Sequence, residues 1–171
     1  MLGFFRADED AFVKELMSSN INIDKLKKYI ANGVNINDVD EKGRNYLFFF
    51  AAKKNFNAIK VLISLGIDMY KEDKLGKTVL SEACEKYDFM MIRFLLDNGF
   101  DGNRKNSAGR TILQDCVLLG NDKVFQILLN YNLDFDIKDN NGRNVVFDAI
   151  ENGNLEVLKK VIDNVKDINA V

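Results

Sequence analysis

Glycine recurs at a fixed interval of 33 residues in two separate series. The first series comprises Gly43, Gly76, Gly109 and Gly142, and the second comprises Gly33, Gly66 and Gly99. Self-similarity at a constant period of this length is typical of an array in which one supersecondary unit is repeated along the chain. The interval therefore constrains the architecture more strongly than any other feature of the sequence.

The segments around the first glycine series are also similar, since each is a polar turn followed by an apolar run. These segments cover residues 40–47, 73–80, 106–113 and 139–146. Later in the same repeats, second apolar segments such as 61–66 and 94–99 end at Gly, and the segment 127–132 ends at Asn. Gly and Asn reach the left-handed conformation that closes a helix at low cost. Each repeat is thus predicted to contain two helices.

This pattern resembles the ankyrin repeat, in which a polar turn with Gly precedes Thr-Pro-Leu-His, a short inner helix, and an outer helix that ends in Leu-Leu. Positions that match the family pattern are Thr78, Thr111, Leu47, Leu80, Leu113, Ala51 and Ala83, with Asp68, Asp101, Asp134 and Asp167 after the outer helices. The chain departs from the pattern because it contains no Pro and no His. The resemblance implies an α-helical solenoid of stacked helix-turn-helix repeats with short hairpin-like loops.

The resemblance covers nearly the whole chain and implies a single ankyrin-like domain over residues 1–171 with five repeats. We number them repeat 1 (1–39), repeat 2 (40–72), repeat 3 (73–105), repeat 4 (106–138) and repeat 5 (139–171). Two helices are expected in each of the spans 8–38, 40–71, 73–104, 106–137 and 139–170. Repeat 1 is divergent, which suits an N-terminal cap, because solenoid ends need a more polar unit. The sequence leaves open whether the chain continues beyond Val171.

Histidine is absent, which removes the side chain most often used as a general base. Ser-His and Cys-His nucleophile pairs are therefore excluded, and no Gly-rich phosphate-binding loop occurs. The two cysteines, Cys84 and Cys116, fall at small-residue positions of the inner helices, where we expect them to be buried. Composition leaves carboxylate catalysis open, but stacked repeats form extended surfaces rather than deep pockets. We predict no enzymatic activity, no cofactor and no metal site.

Charge and hydropathy place the chain in the ordinary globular range, with a net charge of −2 and 47% hydrophobic residues. Residues 1–6 lack the apolar region of a signal peptide, and no apolar stretch approaches the roughly 18 residues needed to cross a membrane. The low cysteine content is typical of a reducing compartment. We therefore expect a cytoplasmic, monomeric protein without a membrane partner.

The residue after each turn glycine is a cation, and these residues are expected to form a row near the hairpin tips. This basic row comprises Arg44, Lys77, Arg110 and Arg143. A second row on the inner helices, expected to face the concave groove, comprises Phe49, Glu82, Asp115 and Asp148. Two interpretations remain open. The rows pair with each other, at about 0–1 kcal/mol per exposed pair, or they form a groove suited to a partner of mixed charge.

Large apolar residues at expected surface positions suggest where a partner binds. Leu75 lies on a turn, and Leu118 and Leu119 lie at the end of the inner helix of repeat 4. Exposed apolar side chains of this kind serve as anchors that a partner buries. The alternative is that Leu118 turns inward and contacts the next repeat. Of Phe48, Phe49 and Phe50, two are expected in the core.

Together these features predict a non-catalytic protein–protein interaction module that binds another protein on its concave face and hairpin tips. One alternative is a nucleic-acid or acidic-polymer binder that uses the basic row, although a strongly basic footprint is expected of such proteins. The other alternative is a regulatory fragment of a larger enzyme. The partner cannot be named from the sequence, because one fold supports many unrelated binding roles.

Overall fold

The structure, a computed structural model, describes residues 7–166 of the chain, and these residues contain ten helices and no strand. The helices are α1 (Ala7–Leu16), α2 (Ile23–Ala31), α3 (Tyr46–Ala52), α4 (Phe56–Ser64), α5 (Val79–Glu85), α6 (Phe89–Asp97), α7 (Ile112–Leu118), α8 (Asp122–Leu128), α9 (Val145–Asn152) and α10 (Leu155–Asn164). The predicted α-helical class is confirmed. Asp167, the matching residue of repeat 5, lies outside the described residues.

Each expected span contains one helix pair, and the two helices of a pair pack against each other. We call the odd-numbered member the inner helix and the even-numbered member the outer helix. In repeats 2 to 5 the inner helix begins three residues after the turn glycine, at Tyr46, Val79, Ile112 and Val145. The prediction of two helices per repeat is confirmed.

Side chains that accept backbone hydrogen bonds build the turns before the inner helices. Oδ1 of Asp40 accepts from the backbone N–H groups of Lys42 and Arg44, each at 2.9 Å. Asn106 and Asp139 bind their turns in the same way at 2.8–3.0 Å. Asx side chains favour such turns because they satisfy backbone donors locally. The recurring polar residue is therefore explained by the backbone groups that it satisfies.

The glycine of one turn is required for two reasons. Gly109 has a φ of +77°, which side chains with a Cβ adopt only with strain. A Cβ at this position would also lie 2.1 Å from Oδ1 of Asn140 in the next turn. The turns of repeats 4 and 5 thus approach so closely that only glycine fits at residue 109.

Asn, Thr or Asp precedes every helix from α2 to α10. The side chain accepts a hydrogen bond from the first turn of the helix at Asn22, Asn45, Asn55, Thr78, Asp88, Thr111, Asn144 and Asn154. Asn121 is the exception, because its amide donates instead to the carbonyl of Cys84 at 2.8 Å. This bond joins the start of α8 to α5 of the preceding repeat.

The chain forms two compact units that divide after Leu75, and each has its own apolar core. In the first unit, the fully buried side chains include Phe12, Leu16, Leu26, Phe50 and Leu62. Phe48 is also buried whereas Phe49 is partly exposed, so the prediction that two of these three phenylalanines are core residues is confirmed.

In the second unit, the fully buried side chains include Met91, Ile92, Leu95, Leu113, Phe125 and Leu128. Cys84 and Cys116 are buried beside them as predicted, and the thiol of Cys116 lies 3.4 Å from the carbonyl oxygen of Asn121. Burial raises the pKa of both thiols, to about 12 for Cys116. Both cysteines therefore act as packing residues.

Truncation of the buried outer-helix leucines should destabilise the second unit strongly. Leu95→Ala or Leu128→Ala each removes a fully buried side chain, so we expect a loss of about 2–5 kcal/mol in the free energy of unfolding. Urea denaturation followed by circular dichroism measures this loss.

The matched control is Leu155→Ala, which truncates an exposed leucine in the same unit and should change stability by less than about 0.5 kcal/mol. Equal losses in the control and in the two core variants would contradict the assignment of these leucines to the core.

Candidate functional site

Arg110 lies at the centre of an ion-pair cluster in the second unit. Its Nε donates to Oδ1 of Asp115 at 2.6 Å, and its Nη2 donates to Oδ1 of Asp148 at 2.9 Å. A third carboxylate, that of Asp139, lies 3.7 Å from Nη1. Arg110 precedes α7, Asp115 lies on α7 and Asp148 lies on α9. The cluster thus links repeat 4 to repeat 5.

The cluster is largely shielded from water. The Arg110 side chain is 14% exposed, and those of Asp139 and Asp148 are each 2% exposed. Oδ2 of Asp148 is buried and has no hydrogen-bond partner among the described residues. Ion pairs in such surroundings depend on each partner, because removal of one leaves the other charged and buried.

The electrostatics of the cluster follow from this burial. Burial raises the pKa of Asp148, and the hydrogen bond and positive charge of Arg110 offset part of that rise. Burial alone would lower the pKa of Arg110, but its bonds to Asp115 and Asp148 outweigh this effect and raise it. Asp139 shows the opposite balance to Asp148. Burial acts to raise its pKa, but backbone N–H groups of Arg143 and Asn141 bind its carboxylate and keep the pKa low.

The other cations of the basic row also have acidic neighbours. Arg44 binds Asp40 at 2.8 Å, Lys77 binds Glu85 at 2.6 Å, and Arg143 lies 3.6 Å from Asp139 and 3.8 Å from Glu151. Glu82 of the acidic row pairs with Lys86. The two rows pair directly at Arg110, whereas the other cations bind carboxylates outside the acidic row. The pairing interpretation therefore holds in full only for Arg110.

The structure corrects the position of Asp148. Its place in the repeat predicts a side chain that faces the concave groove, yet the residue is only 1% exposed. The attraction of Arg110 and the packing of α9 against α7 hold the carboxylate inside. Asp148 therefore positions Arg110 and does not offer a surface to a partner.

Leu118 and Leu119 are exposed at the end of α7, at 36% and 64%. They follow Asp115 by three and four residues, a spacing that places side chains on the same side of a helix. The equivalent positions in repeats 3 and 5 carry Glu85 and Lys86, and Glu151 and Asn152. Repeat 4 thus presents an aliphatic pair where its neighbours present polar groups.

The structure brings some of the predicted site residues together and leaves others apart. Arg110, Asp115, Leu118 and Leu119 lie on α7 or directly before it, and Arg143 precedes α9, which packs on α7. Lys77 and Glu82 belong to the α5 repeat of the same unit. Arg44 and Leu75 belong to the first unit, where Leu75 is 78% exposed.

Sequence reasoning missed Asp139 as a partner of Arg110 and missed several exposed apolar residues. Tyr87 is one of them, and it adopts a left-handed conformation with a φ of 56°. The residues at its position in repeats 4 and 5 are Gly120 and Gly153, which have similar φ values. The repeat register could have marked Tyr87 as a special position, since only glycine adopts this conformation cheaply.

Within residues 7–166, no group of three or more His, Cys, Asp or Glu residues is arranged to hold a metal ion. No helix in the same part of the chain is long and apolar enough to cross a bilayer.

Removal of the central cation should destabilise the protein in a pH-dependent way. In Arg110→Ala, Asp148 keeps its charge but loses its partner, so we expect a loss of about 2–4 kcal/mol at neutral pH. Protonation of Asp148 abolishes the attraction that the variant lacks. Because burial raises the pKa of Asp148, the difference from the wild type should shrink as the pH falls to about 4.

Thermal and urea unfolding between neutral and acidic pH measure this difference. The control is Arg44→Ala at the equivalent position of repeat 2, where a half-exposed pair with Asp40 should contribute only about 0–1 kcal/mol. A pH-independent loss in Arg110→Ala would contradict the assigned role of Asp148.

Comparison with known protein families agrees with this geometry. The family model for ankyrin repeats (3 copies) matches residues 14–106 and 91–171. No curated protein sequence gives a significant match to the chain. The matched residues span most of the chain and include every helix pair of repeats 2 to 5, and the chain therefore belongs to the ankyrin-repeat family.

Proposed function

We propose that this protein is a non-catalytic interaction module whose protein partner binds around α7 of repeat 4. Ankyrin repeats are generally protein–protein interaction modules and are typically non-catalytic. The observation that carries the location is the exposure of Leu118 and Leu119 at positions that are polar in the neighbouring repeats. Apolar anchors at the centre of an interface supply most of its binding energy.

The ion-pair cluster supports this location because it orders the surface next to the two leucines. Arg110 holds Asp115 on α7 and Asp148 on α9, so the helix that carries the anchors is tied to its neighbour. A surface that is ordered before binding loses less conformational entropy when the partner binds. The partner therefore meets a preformed surface.

Charged residues around the leucines are proposed to contact the partner at the rim. The Asp115 side chain is 28% exposed and that of Arg143 is 40% exposed, so both reach solvent. Lys77 and Glu82 are proposed as further rim residues of the second unit, and Arg44 and Leu75 as contacts offered by the first unit. Rim charges mainly adjust the association rate and the choice of partner.

The ion pairs also favour a protein partner over nucleic acid. Each cation of the basic row has a carboxylate within 4 Å, which reduces the positive potential that phosphates would encounter. Phosphate-binding surfaces depend on accessible Lys and Arg side chains. We further propose that residues 1–171 act as one repeat domain and that the protein is monomeric and cytoplasmic.

The double variant Leu118→Ser/Leu119→Ser tests the proposed anchors. Affinity capture with the full chain identifies the partner, and titration calorimetry with the purified partner then compares the variants. We expect the double variant to weaken binding by at least about tenfold, because it removes the apolar contacts at the centre of the interface.

Two controls accompany this measurement. Leu155→Ser removes an exposed leucine elsewhere in the same unit, and Arg44→Ala removes a cation from the first unit; both should change affinity by less than about threefold. Full affinity in a folded double variant would exclude these leucines from the interface. Salt-dependent binding of random DNA by the wild type would instead favour the nucleic-acid alternative.

A further inference from the structure

The first unit contains a cavity of about 120 Å³ beside α3. The buried rings of Tyr46 and Phe48 line it, together with the partly exposed Phe49 and the exposed Val39 and Ala52. We call it the Tyr46 cavity. All of its lining residues belong to the first unit, so it is separate from the leucine pair on α7.

The lining of the Tyr46 cavity is apolar only in repeat 2. Three of its residues, Val39, Phe49 and Ala52, have equivalents in repeats 3, 4 and 5. These equivalents are Glu72, Lys105 and Lys138; Glu82, Asp115 and Asp148; and Glu85, Leu118 and Glu151. Eight of these nine positions are charged. Because the same backbone position accepts charged side chains elsewhere, the helical repeat itself does not require an apolar residue there.

The size of the cavity selects what it can hold. An apolar cavity of about 150 Å³ holds a benzene-sized molecule. The Tyr46 cavity is slightly smaller, which suits a single aliphatic side chain such as that of Leu, Ile or Met. Exposed apolar surface of this kind is stabilised when a partner covers it.

Carboxylates dominate the charge around the Tyr46 cavity. Asp38 and Asp40 line it, and burial together with the negative charges of Glu9, Asp38 and Asp10 raises the pKa of Tyr46. Asp10 and Asp38 are exposed to solvent.

Two cations lie near these four carboxylates. Arg44 binds Asp40 through two hydrogen bonds of 2.8 and 3.0 Å, and the ammonium of Lys53 lies 5.0 Å from the ring centre of Phe49. Four carboxylates against two cations leave the surroundings of the cavity net negative. A ligand with a positive charge beside its apolar group therefore complements both the cavity and its rim.

We propose that the Tyr46 cavity binds an extended peptide segment of a partner, with a large aliphatic side chain inside the cavity and a flanking Lys or Arg beside Asp38 and Asp10. This site extends the proposed function, because it adds a second contact surface in the first unit and defines the chemistry of the segment that it takes. Its residues do not overlap with Leu118 and Leu119.

The test uses the full chain, labelled with ¹⁵N and titrated with three capped tripeptides in NMR experiments. The peptide Lys-Leu-Lys satisfies both requirements, Glu-Leu-Glu reverses the charge, and Lys-Ser-Lys lacks the aliphatic side chain. We expect Lys-Leu-Lys to shift the amide signals of Val39, Phe49 and Ala52 and to bind at least about tenfold more tightly than the other two. Equal affinities for the three peptides, or shifts confined to other residues, would overturn the proposal.

Variants of the lining residues complete the test. Ala52→Glu and Val39→Lys each introduce a residue found at the same position in repeats 3 or 5, and both should weaken Lys-Leu-Lys binding by at least about tenfold. Two variants are used so that one remains informative if the other does not fold. Asp38→Asn combined with Asp10→Asn should abolish the preference for Lys-Leu-Lys over Glu-Leu-Glu.

The double variant Leu118→Ser/Leu119→Ser is the control and should bind Lys-Leu-Lys as the wild type does. A loss of tripeptide binding in this control would assign the peptide to the α7 surface and overturn the Tyr46 proposal. Loss of binding to the full partner in the control, with tripeptide binding retained, separates the two sites. Unchanged tripeptide binding in folded Ala52→Glu would also overturn the proposal.

Discussion

The structure depends on side chains that hydrogen-bond to the free backbone groups at the helix ends. The ten described helices contain only 7–10 residues each, and the first four N–H groups of any helix have no partner within it. Helices this short are marginal in isolation. The Asn, Thr and Asp residues before α2 to α10 satisfy some of these donors, and Asn121 bonds to the preceding repeat instead. Capping is therefore as important as apolar packing to this fold.

The positions of the helices could be predicted from the sequence because they depend on local chemistry. A turn glycine, a capping residue such as Thr78 or Thr111 and an apolar run are all visible in the chain, and each acts over a few residues. The burial of Asp148 could not be predicted in this way, since it depends on an arginine 38 residues earlier. The repeat register shows which residues are equivalent, but not how far a long side chain reaches.

The candidate surfaces were predictable in part for the same reason. Exposure of Leu118 and Leu119 agrees with their place at the end of an inner helix, and both leucines were recognised because their equivalents are polar. The Tyr46 cavity was not recognised, although Phe49 interrupts a row that is otherwise acidic. Its walls come from a turn and a helix together, so no single segment shows it. In a repeated chain, positions that depart from their equivalents indicate function better than the shared pattern does.

The burial of both cysteines has a practical consequence for chemical labelling. The chain contains only Cys84 and Cys116, and thiols react with alkylating reagents in the thiolate form, which their raised pKa values disfavour. A cysteine introduced at an exposed position would thus be the one thiol that a maleimide dye or a photo-cross-linker modifies readily in the native chain. The wild-type background is therefore ready for fluorescence and cross-linking studies without prior replacement of its own cysteines.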